Sequence, residues 1–284
     1  MRSVLAFLGF AALIGFLLWR PAAPEPVRPL PPGWQAVRPS EDVMAMAIAG
    51  EVVYAGGKEG VVAIARRTGA LCAGAPPAAL ACVTALLADR AGSLWICHEK
   101  SVSCWDGKRL KTFAAPDGLP DARTLCLLED RDGRIWVGTD RGVAFRVDGR
   151  WRVLTAADGL ASGMVYALIQ DRDGGMWFGS YEAPRGGVSY RSPQGAWQRW
   201  TAADGLPHAN VTSLCEDGEG SVWAGTGLLD RGGAVRFVRG PAGWTLAEVL
   251  RKKDGLAGEK VRSIFADSGR RLWFGSEYEG LAVR

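Results

Sequence analysis

DGLPDARTLCLLEDRDGRIWVGTDRGVAFRVDGRWRVLT, from Asp117 to Thr155, is the stretch of this chain that decides the fold. It contains four short runs of strand-forming residues, and Asp and Gly separate them because these residues cap turns and accept positive φ. The predicted strands are Thr124–Leu128, Arg134–Gly138, Val143–Val147 and Trp151–Thr155. Four such strands joined by hairpins form one antiparallel sheet, which is the unit of an array of repeated sheets.

The same pattern recurs along the chain, and one tryptophan marks each copy. Each of these Trp residues follows an Asp six positions earlier, and the separations between copies are 41, 41, 46 and 50 residues. A period of this length indicates one supersecondary unit that is copied many times. The marker residues are Trp95, Trp136, Trp177, Trp223 and Trp273.

Two columns of residues before these tryptophans describe the inner strand of each copy. The residue ten positions before the Trp is small, and the residue nine positions before it is Leu or Ile. Successive strand residues point to opposite faces, so both faces of the strand must pack between neighbouring sheets. The Trp residues are therefore predicted to fill the core between sheets. The small column is Ala85, Cys126, Ala167, Ser213 and Ser263, and the large column is Leu86, Leu127, Leu168, Leu214 and Ile264.

Two weaker copies complete the count of sheets. An early copy has Tyr54 at the Trp position, and the last copy stops at Arg284 after its third strand. Residues 33–37 resemble the fourth strand of the quoted unit, and we expect them to complete the last sheet and so remove its exposed edge. The chain is predicted to be an all-β, six-bladed β-propeller closed by this N-terminal strand, with a seven-bladed ring as the alternative.

The N-terminus has a different composition from the repeats. Met1 and Arg2 precede the uncharged run from Val4 to Trp19, which is typical of an export signal. The usual small-residue cleavage pattern is poorly formed, so residues 1–20 are predicted to remain as a hydrophobic signal-anchor or transmembrane helix. Residues 21–32 contain six prolines and are predicted to be a stiff linker to a propeller at 33–284. We expect anchoring in the bacterial inner membrane with the propeller in the periplasm.

Charge and cysteine usage argue against two kinds of chemistry. The formal net charge is only +4 and no long Lys/Arg block exists, so no nucleic-acid partner is expected. The six cysteines contain no C-x-x-C, and neither His98 nor His208 has metal-ligand spacing, so we expect no metal and no cofactor. An exported protein can form disulfides, and the candidate pairs are Cys97 with Cys104 and Cys72 with Cys82. A small buried thiol is the simpler interpretation of each cysteine.

The repeat pattern has a known counterpart. The pattern resembles the two-component regulator propeller repeat. Its parts are, in order, an Asp-Gly-Leu triplet, an inner strand, Glu-Asp-x-x-Gly, and Ile or Leu followed by Trp-x-Gly-Thr. The resemblance is clearest at 117–147, 158–191, 204–238 and 254–284, and it is degenerate at 44–64. It implies a β-propeller of the kind found as extracytoplasmic sensor domains of bacterial regulators. No kinase, receiver or DNA-binding segment follows the last copy, so we expect any signal to pass to a separate protein.

Candidate binding residues come from channel positions and from turns. The positions predicted to face the channel carry few carboxylates, so binding is favoured over hydrolysis and no catalytic residue is predicted. Counting residues after the core Trp predicts long turns at 181–187 and 228–233 and a slightly longer one at 277–280, which would form a rim beside the Asp-Gly-Leu loops. The channel positions are Thr84, Leu125, Tyr166, Thr212 and Arg262. The ligand- or partner-binding candidates are Tyr181, Glu182, Arg185, Asp230, Arg231, Glu277, Tyr278, Glu279, His208, Asp140 and Arg141.

Three functions stay open at the level of sequence, because a fold does not specify a function. The favoured one is a membrane-anchored propeller that binds a small ligand or an envelope protein, including a separate signalling protein, and that has no output domain of its own. The alternatives are a propeller enzyme of the lyase or lactonase type acting at the central opening, and a scaffold for envelope assembly. The long turns are also open to interpretation as tolerated insertions without a partner.

Overall fold

A computed structural model describes residues 42–77 and 80–284 of the chain. These residues form six antiparallel sheets, and within each sheet every strand pairs with its neighbours in sequence. The predicted signal anchor, the Pro-rich linker and the predicted strand at 33–37 lie outside the described residues. In the part of the chain that is described, no helix has the length and apolar character needed to cross a membrane.

The sheets are numbered 1 to 6 in chain order, and sheets 2 to 5 have four strands whereas sheets 1 and 6 have three. Sheet 1 contains β1 (Ala45–Ala49), β2 (Val52–Gly57) and β3 (Gly60–Ala65), and sheet 2 contains β4 (Val83–Ala88), β5 (Leu94–His98), β6 (Ser101–Trp105) and β7 (Leu110–Phe113). Sheet 3 contains β8 (Thr124–Glu129), β9 (Ile135–Thr139), β10 (Gly142–Val147) and β11 (Arg150–Leu154), and sheet 4 contains β12 (Val165–Gln170), β13 (Met176–Ser180), β14 (Val188–Arg191) and β15 (Trp197–Trp200). Sheet 5 contains β16 (Val211–Glu216), β17 (Val222–Leu228), β18 (Arg231–Gly240) and β19 (Gly243–Leu250), and sheet 6 contains β20 (Val261–Ala266), β21 (Leu272–Ser276) and β22 (Leu281–Val283). Short 3₁₀ helices precede sheets 3, 5 and 6 at Ala115–Asp117, Ala202–Asp204 and Lys252–Asp254.

The strands of the quoted unit are confirmed. β8 to β11 each begin and end within one residue of the predicted bounds. Sheet 1 also has the beginning of a fourth strand, because Leu71 forms a bridge with Ile64 and the Cys72 N–H donates to the Ala63 carbonyl at 2.9 Å.

A hydrogen bond joins the repeated Asp to the repeated Trp. In all five copies the indole N–H donates to the carboxylate six residues earlier, at 2.8 or 2.9 Å. The same carboxylates accept backbone N–H groups of the turn, as Asp171 does from Asp173 and Gly175. One carboxylate therefore holds both the β-turn and the orientation of the Trp side chain, and it is buried in sheets 3, 4 and 5.

The core consists of apolar clusters between successive sheets. Trp95 of sheet 2 packs with Ile135 of sheet 3, and Trp223 of sheet 5 packs with Val261 and Phe274 of sheet 6. The inner strands pack in the same order, from β1 through β4, β8, β12 and β16 to β20. Burial of one such side chain contributes on the order of 2–3 kcal/mol before entropy, so the interfaces between sheets dominate the stability.

The two ends of this series carry exposed apolar side chains. Met46 and Ile48 of β1 are 69% and 56% exposed, and Phe265 of β20 and Leu281 of β22 are 64% and 60% exposed. A neighbouring sheet covers such faces in the middle of the array. The described residues therefore form a propeller-like array of six sheets, and the closed six-bladed ring stays a prediction.

The cysteines are free thiols, so neither candidate disulfide is present. Across the β5–β6 hairpin Cys97 pairs with Val102 and Cys104 pairs with Trp95, so the two cysteines do not face each other. Cys126 occupies the small-residue position of β8, and a Cβ on Gly138 would lie 2.3 Å from its sulfur. Burial raises the pKa of the Cys126 thiol to about 12, as expected of an inert core residue.

Candidate functional site

The inner strands from β4 to β20 share a β-bulge near their first residue. In each of them the pairing register shifts across one residue, which is left without a partner in the ladder. Bulges turn a side chain away from its regular direction and are common beside functional sites. The bulged residues are the five positions predicted to face the channel: Thr84, Leu125, Tyr166, Thr212 and Arg262.

Two of these residues connect neighbouring sheets. The Thr84 hydroxyl donates to the Thr124 carbonyl of the next inner strand at 2.8 Å. The buried Thr212 hydroxyl donates in the same way to the Val261 carbonyl. Threonine at the bulge therefore has a structural role.

Tyr166 and Arg262 make a different contact. The Arg262 guanidinium donates to the Tyr166 hydroxyl at 3.1 Å and lies 5.5 Å from the centre of its ring. Tyr166 belongs to sheet 4 and Arg262 to sheet 6, with sheet 5 between them. Two side chains of non-neighbouring sheets can meet only beyond the inner edge of the intervening sheet, so this contact lies at the central opening.

The first long turn extends this contact toward the rim. The Tyr181 ring centre lies 5.3 Å from that of Tyr166, and the Tyr181 N–H donates to the Met164 carbonyl just before β12. The three side chains Tyr166, Tyr181 and Arg262 therefore form one group, which we call the Tyr–Arg cluster.

A buried ion pair lies beside the Tyr–Arg cluster. Lys260 is only 8% exposed and pairs with Glu277, which also accepts from the Tyr278 hydroxyl at 3.0 Å. The Lys260 ammonium holds the pKa of the Glu277 carboxyl below its usual range, and the hydrogen bond to Glu277 raises the pKa of the Tyr278 hydroxyl. Lys260 is absent from the residues predicted by sequence, because a lone Lys before a strand carries no recognisable signal.

The turn at 181–187 is anchored to the loop before β16. The Ala183 N–H donates to the Asn210 side chain at 2.7 Å, and the Asn210 N–H donates to His208 Nδ1 at 3.0 Å. Burial lowers the pKa of His208, so the neutral ring that accepts this bond is favoured. Glu182 and Arg185 pair with each other at 2.7 Å at the exposed end of the turn.

The prediction of a long turn at residues 228–233 is wrong. β17 and β18 continue to pair as far as Leu228 and Arg231, so the extra residues lengthen the strands and the turn is only Leu229 and Asp230. Residue counting cannot separate a longer turn from a longer hairpin with a tight turn. The result is a protruding hairpin whose tip residue, Leu229, is 69% exposed, with Asp230 and Arg231 also exposed.

The remaining predicted residues contact their immediate neighbours. Asp140 accepts from the Arg123 guanidinium at 3.0 Å, and the Arg141 N–H donates to the Thr139 hydroxyl. Glu279 forms an ion pair with Lys252. The structure brings Tyr181, Glu277 and Tyr278 to the Tyr–Arg cluster and its ion pair, and it leaves Asp140 and Arg141 on the turn of sheet 3.

The turns after the core Trp and the loops before the inner strands lie at the same end of the sheets. The Asp140 N–H donates to the Arg123 carbonyl, and the Glu277 N–H donates to the Lys260 carbonyl.

Two clefts occur at the opposite end, with volumes of about 490 Å³ and 280 Å³, and Arg134 and Arg236 are among their lining residues. Within residues 42–77 and 80–284, no group of three or more His, Cys, Asp or Glu side chains is arranged to hold a metal ion.

Comparison with known families identifies the repeat. The family model of the two component regulator propeller matches residues 118–141, 159–182 and 205–227. The chain carries two-component regulator propeller repeats. Each matched stretch runs from the Gly of an Asp-Gly-Leu loop past the core Trp, in sheets 3, 4 and 5.

Solved structures share the fold of these propeller repeats. The extracellular domains of BT3049 and BT4673 from B. thetaiotaomicron, both assigned to hybrid two component systems, superpose with TM-scores of 0.67 and 0.68 at 21% and 20% identity. They cover 82% and 85% of this chain, whereas this chain spans only 31% and 32% of theirs. Virginiamycin B lyase from Staphylococcus aureus superposes with a TM-score of 0.62 at 14% identity, covering 85% of this chain and 83% of the lyase. No curated protein sequence matches the chain.

Proposed function

We propose that this protein is an extracytoplasmic recognition module that binds a partner through the open end of sheets 4 to 6. The observation that carries the proposal is the contact between Tyr166 and Arg262 across sheet 5. The contact joins an exposed guanidinium to the Tyr166–Tyr181 pair, and this combination of side chains supports a binding surface near the turns of these sheets. Tyrosine and arginine are the residues most often found at binding hot spots, and loops on a rigid scaffold commonly carry recognition.

We also propose that residues 4–19 tether the propeller to the inner membrane and that the propeller faces the periplasm. The uncharged run after Arg2 supports export. The fold shared with extracellular domains of two component systems supports the same location. In this proposal a separate membrane protein receives the signal, and recognition by the propeller is the step that this chain contributes.

The test is co-purification of the full chain from membranes, compared with a variant that lacks the protruding hairpin. Replacing Leu228–Arg231 by the two-residue turn Asn-Gly keeps the pairing of Gly227 with Gly232 and supplies residues suited to a type I′ turn. The matched control replaces Pro241-Ala242 by Asn-Gly at the opposite end of the same sheet.

We expect the hairpin variant to keep its melting temperature and to lose the partner, and the control to keep both. The proposal is rejected if the hairpin variant folds normally and recovers every protein that the original recovers. Recovery that falls equally in both variants would also reject it, because the loss would then not depend on this surface.

A further inference from the structure

We infer that Arg262 binds a carboxylate of an acidic segment of a partner protein. The inference rests on the proposed function and specifies the chemistry of the partner. It is based on charge, on the aromatic surroundings of the guanidinium, and on the open apolar surface beside it.

The charges around Arg262 leave it without a carboxylate. Its contact is with the neutral hydroxyl of Tyr166, and none of the ion pairs among residues 42–77 and 80–284 includes it. Glu277 attracts the Arg262 guanidinium, but its carboxylate is already paired with the buried Lys260 and accepts a hydrogen bond from Tyr278. Arg262 is therefore an exposed cation without an ion-pair partner at the central opening, and such a cation attracts an anion.

The guanidinium also lies beside a pair of aromatic rings. It lies over the Tyr166 ring at 5.5 Å, and Tyr181 flanks that ring at 5.3 Å. Only one donor is used by Tyr166, and the planar fork of an arginine matches a carboxylate in a bidentate manner. The existing hydrogen bond to Tyr166 reduces the side-chain entropy that is lost when such a contact forms.

The surface around this charge suits a protein more than a small molecule. Leu229 at the hairpin tip and Tyr278 are 69% and 75% exposed. A Cβ on Gly227 would lie 2.8 Å from the Cα of Lys260, so this hairpin stands directly beside the loop that holds the ion pair. An open patch of Tyr, Leu and Arg with a polar surround is typical of the core of a protein interface.

The experiment uses the full chain in its own membranes, with a photo-crosslinking amino acid at Leu229. The crosslinked partner peptide is identified by mass spectrometry, and its affinity for the purified full chain is then measured by titration of the synthetic peptide. We expect the peptide to contain Asp or Glu, and Arg262→Glu to weaken its binding at least tenfold. Arg262→Gln should weaken it less, because it removes the charge without adding repulsion.

Two controls separate the charge from folding. Arg152→Glu reverses an exposed arginine on β11 of sheet 3 and should leave binding unchanged. A peptide with its acidic residue changed to Lys should lose affinity for the original protein and regain it with Arg262→Glu, so the test does not depend on one variant.

The outcomes that overturn the inference differ from those that overturn the proposed function. A crosslinked peptide without acidic residues, or equal affinity for Arg262→Glu, Arg262→Gln and the original, overturns the carboxylate contact while the recognition surface stands. Tight binding of free glutamate that displaces the peptide would assign the site to small carboxylates and would overturn the protein segment. If no protein crosslinks to position 229 and the hairpin variant co-purifies the same proteins as the original, both the carboxylate contact and the proposed function are overturned.

Discussion

At the scale of single residues, the hydrogen bond from each core Trp to its Asp explains why the two recur at a fixed spacing. The carboxylate of Asp171 is completely buried and accepts the Trp177 indole N–H at 2.9 Å and the Gly175 N–H at 2.8 Å. Without it those donors would be buried and unpaired, which costs about 1–3 kcal/mol for each group. The Asp six residues before the Trp is therefore part of the core.

Asp171→Ala should be strongly destabilising because it leaves two buried donors without an acceptor. We expect the free energy of unfolding to fall by about 3–5 kcal/mol, measured by chemical denaturation. Asp132→Ala is the matched control, since its carboxylate is exposed and pairs only with Arg134; exposed pairs contribute about 0–1 kcal/mol. Equal losses in the two variants would contradict the role given to the buried carboxylate.

The Asp of the last copy provides a prediction about pH. The hydrogen bond from the Trp273 indole, followed by that from the Arg271 backbone, lowers the pKa of Asp267 to about 2, below the ordinary aspartate value of 3.8. Because the folded-state pKa is below the unfolded one, this group stabilises the fold above about pH 4, and that stabilisation is lost as the pH falls toward 2.

Trp273→Phe removes the largest of these contributions, so we expect the pKa of Asp267 to rise toward 3.8 in a carboxyl NMR titration. Arg270→Ala is a suitable control, because the Arg270 side chain does not contribute to the shift of Asp267. A titration midpoint of Asp267 that is unchanged in Trp273→Phe would show that the indole does not set it.

At the scale of elements, the Asp-Gly-Leu loops pack onto the fourth strand of the sheet that follows them. A Cβ on Gly159 would lie 2.6 Å from the Trp197 ring of β15, and one on Gly118 would lie 3.6 Å from Trp151 of β11. The same position before sheet 6, Gly255, has nothing within 4 Å, and no fourth strand of sheet 6 occurs among the described residues. Leu256, Phe274 and Val283 line an open groove at that place.

Gly159→Ala should destabilise the protein more than Gly107→Ala does. Both glycines have positive φ, at 131° and 90°, so both substitutions carry backbone strain of about 1–3 kcal/mol. Only Gly159 meets a core ring, and overpacking adds about 1–3 kcal/mol. Denaturation midpoints at constant m-value measure the difference; similar midpoints for the two variants would show that the loop does not press on Trp197.

The open groove bears on the prediction that residues 33–37 supply the fourth strand of sheet 6. If Trp34 packs against Gly255 as closely as Trp197 packs against Gly159, Gly255→Ala in the full chain should cost as much as Gly159→Ala rather than as little as Gly107→Ala. Truncation through Arg38 should then give an aggregation-prone or unfolded product, because β22 keeps an unpaired edge. A truncated monomer with the original melting temperature would reject this strand, and the seven-bladed alternative would gain support.

At the scale of the whole molecule, six sheets of similar sequence form one array, and the residues predicted to bind a ligand or partner lie at one end of it. This follows from antiparallel pairing, because the turn between the second and third strands and the loop before the next inner strand must lie on the same side. The exposed apolar faces of β1 and β20 are the places where a closed ring would bury further surface.

Location can be tested with the intact chain. Alkaline phosphatase, which is active only outside the cytoplasm, should be active when fused after Arg284, and β-galactosidase fused at the same place should be inactive. Membrane fractionation of the fusion should recover an intact N-terminus if residues 1–20 anchor the protein. The opposite pattern of reporter activities would reject export, and a soluble product that lacks the N-terminus would reject the anchor.

Several features of this protein were predictable from the sequence alone. The five positions predicted to face the channel coincide with β-bulges, which were not themselves predicted. The strands β8 to β11 and the burial of Trp95, Trp136, Trp177 and Trp223 follow from spacing, alternation and turn chemistry, whereas Trp273 in the last sheet is only half-buried. These signals are short-range, since an Asp-Gly turn or a small/large alternation is complete within about ten residues. The repetition of the unit then extends the prediction to the whole array, because each copy has the same neighbours.

The meeting of Tyr166 with Arg262, the burial of Lys260 against Glu277 and the extension of the β17–β18 hairpin were decided only by the tertiary structure. Tyr166 and Arg262 are 96 residues apart, and whether they meet depends on how the angles between three sheets add up around the opening. Lys260 becomes part of the site because the loop before β20 and the turn after β21 lie side by side at the same end of sheet 6. These contacts arise from geometry accumulated over several sheets, which no local sequence pattern encodes.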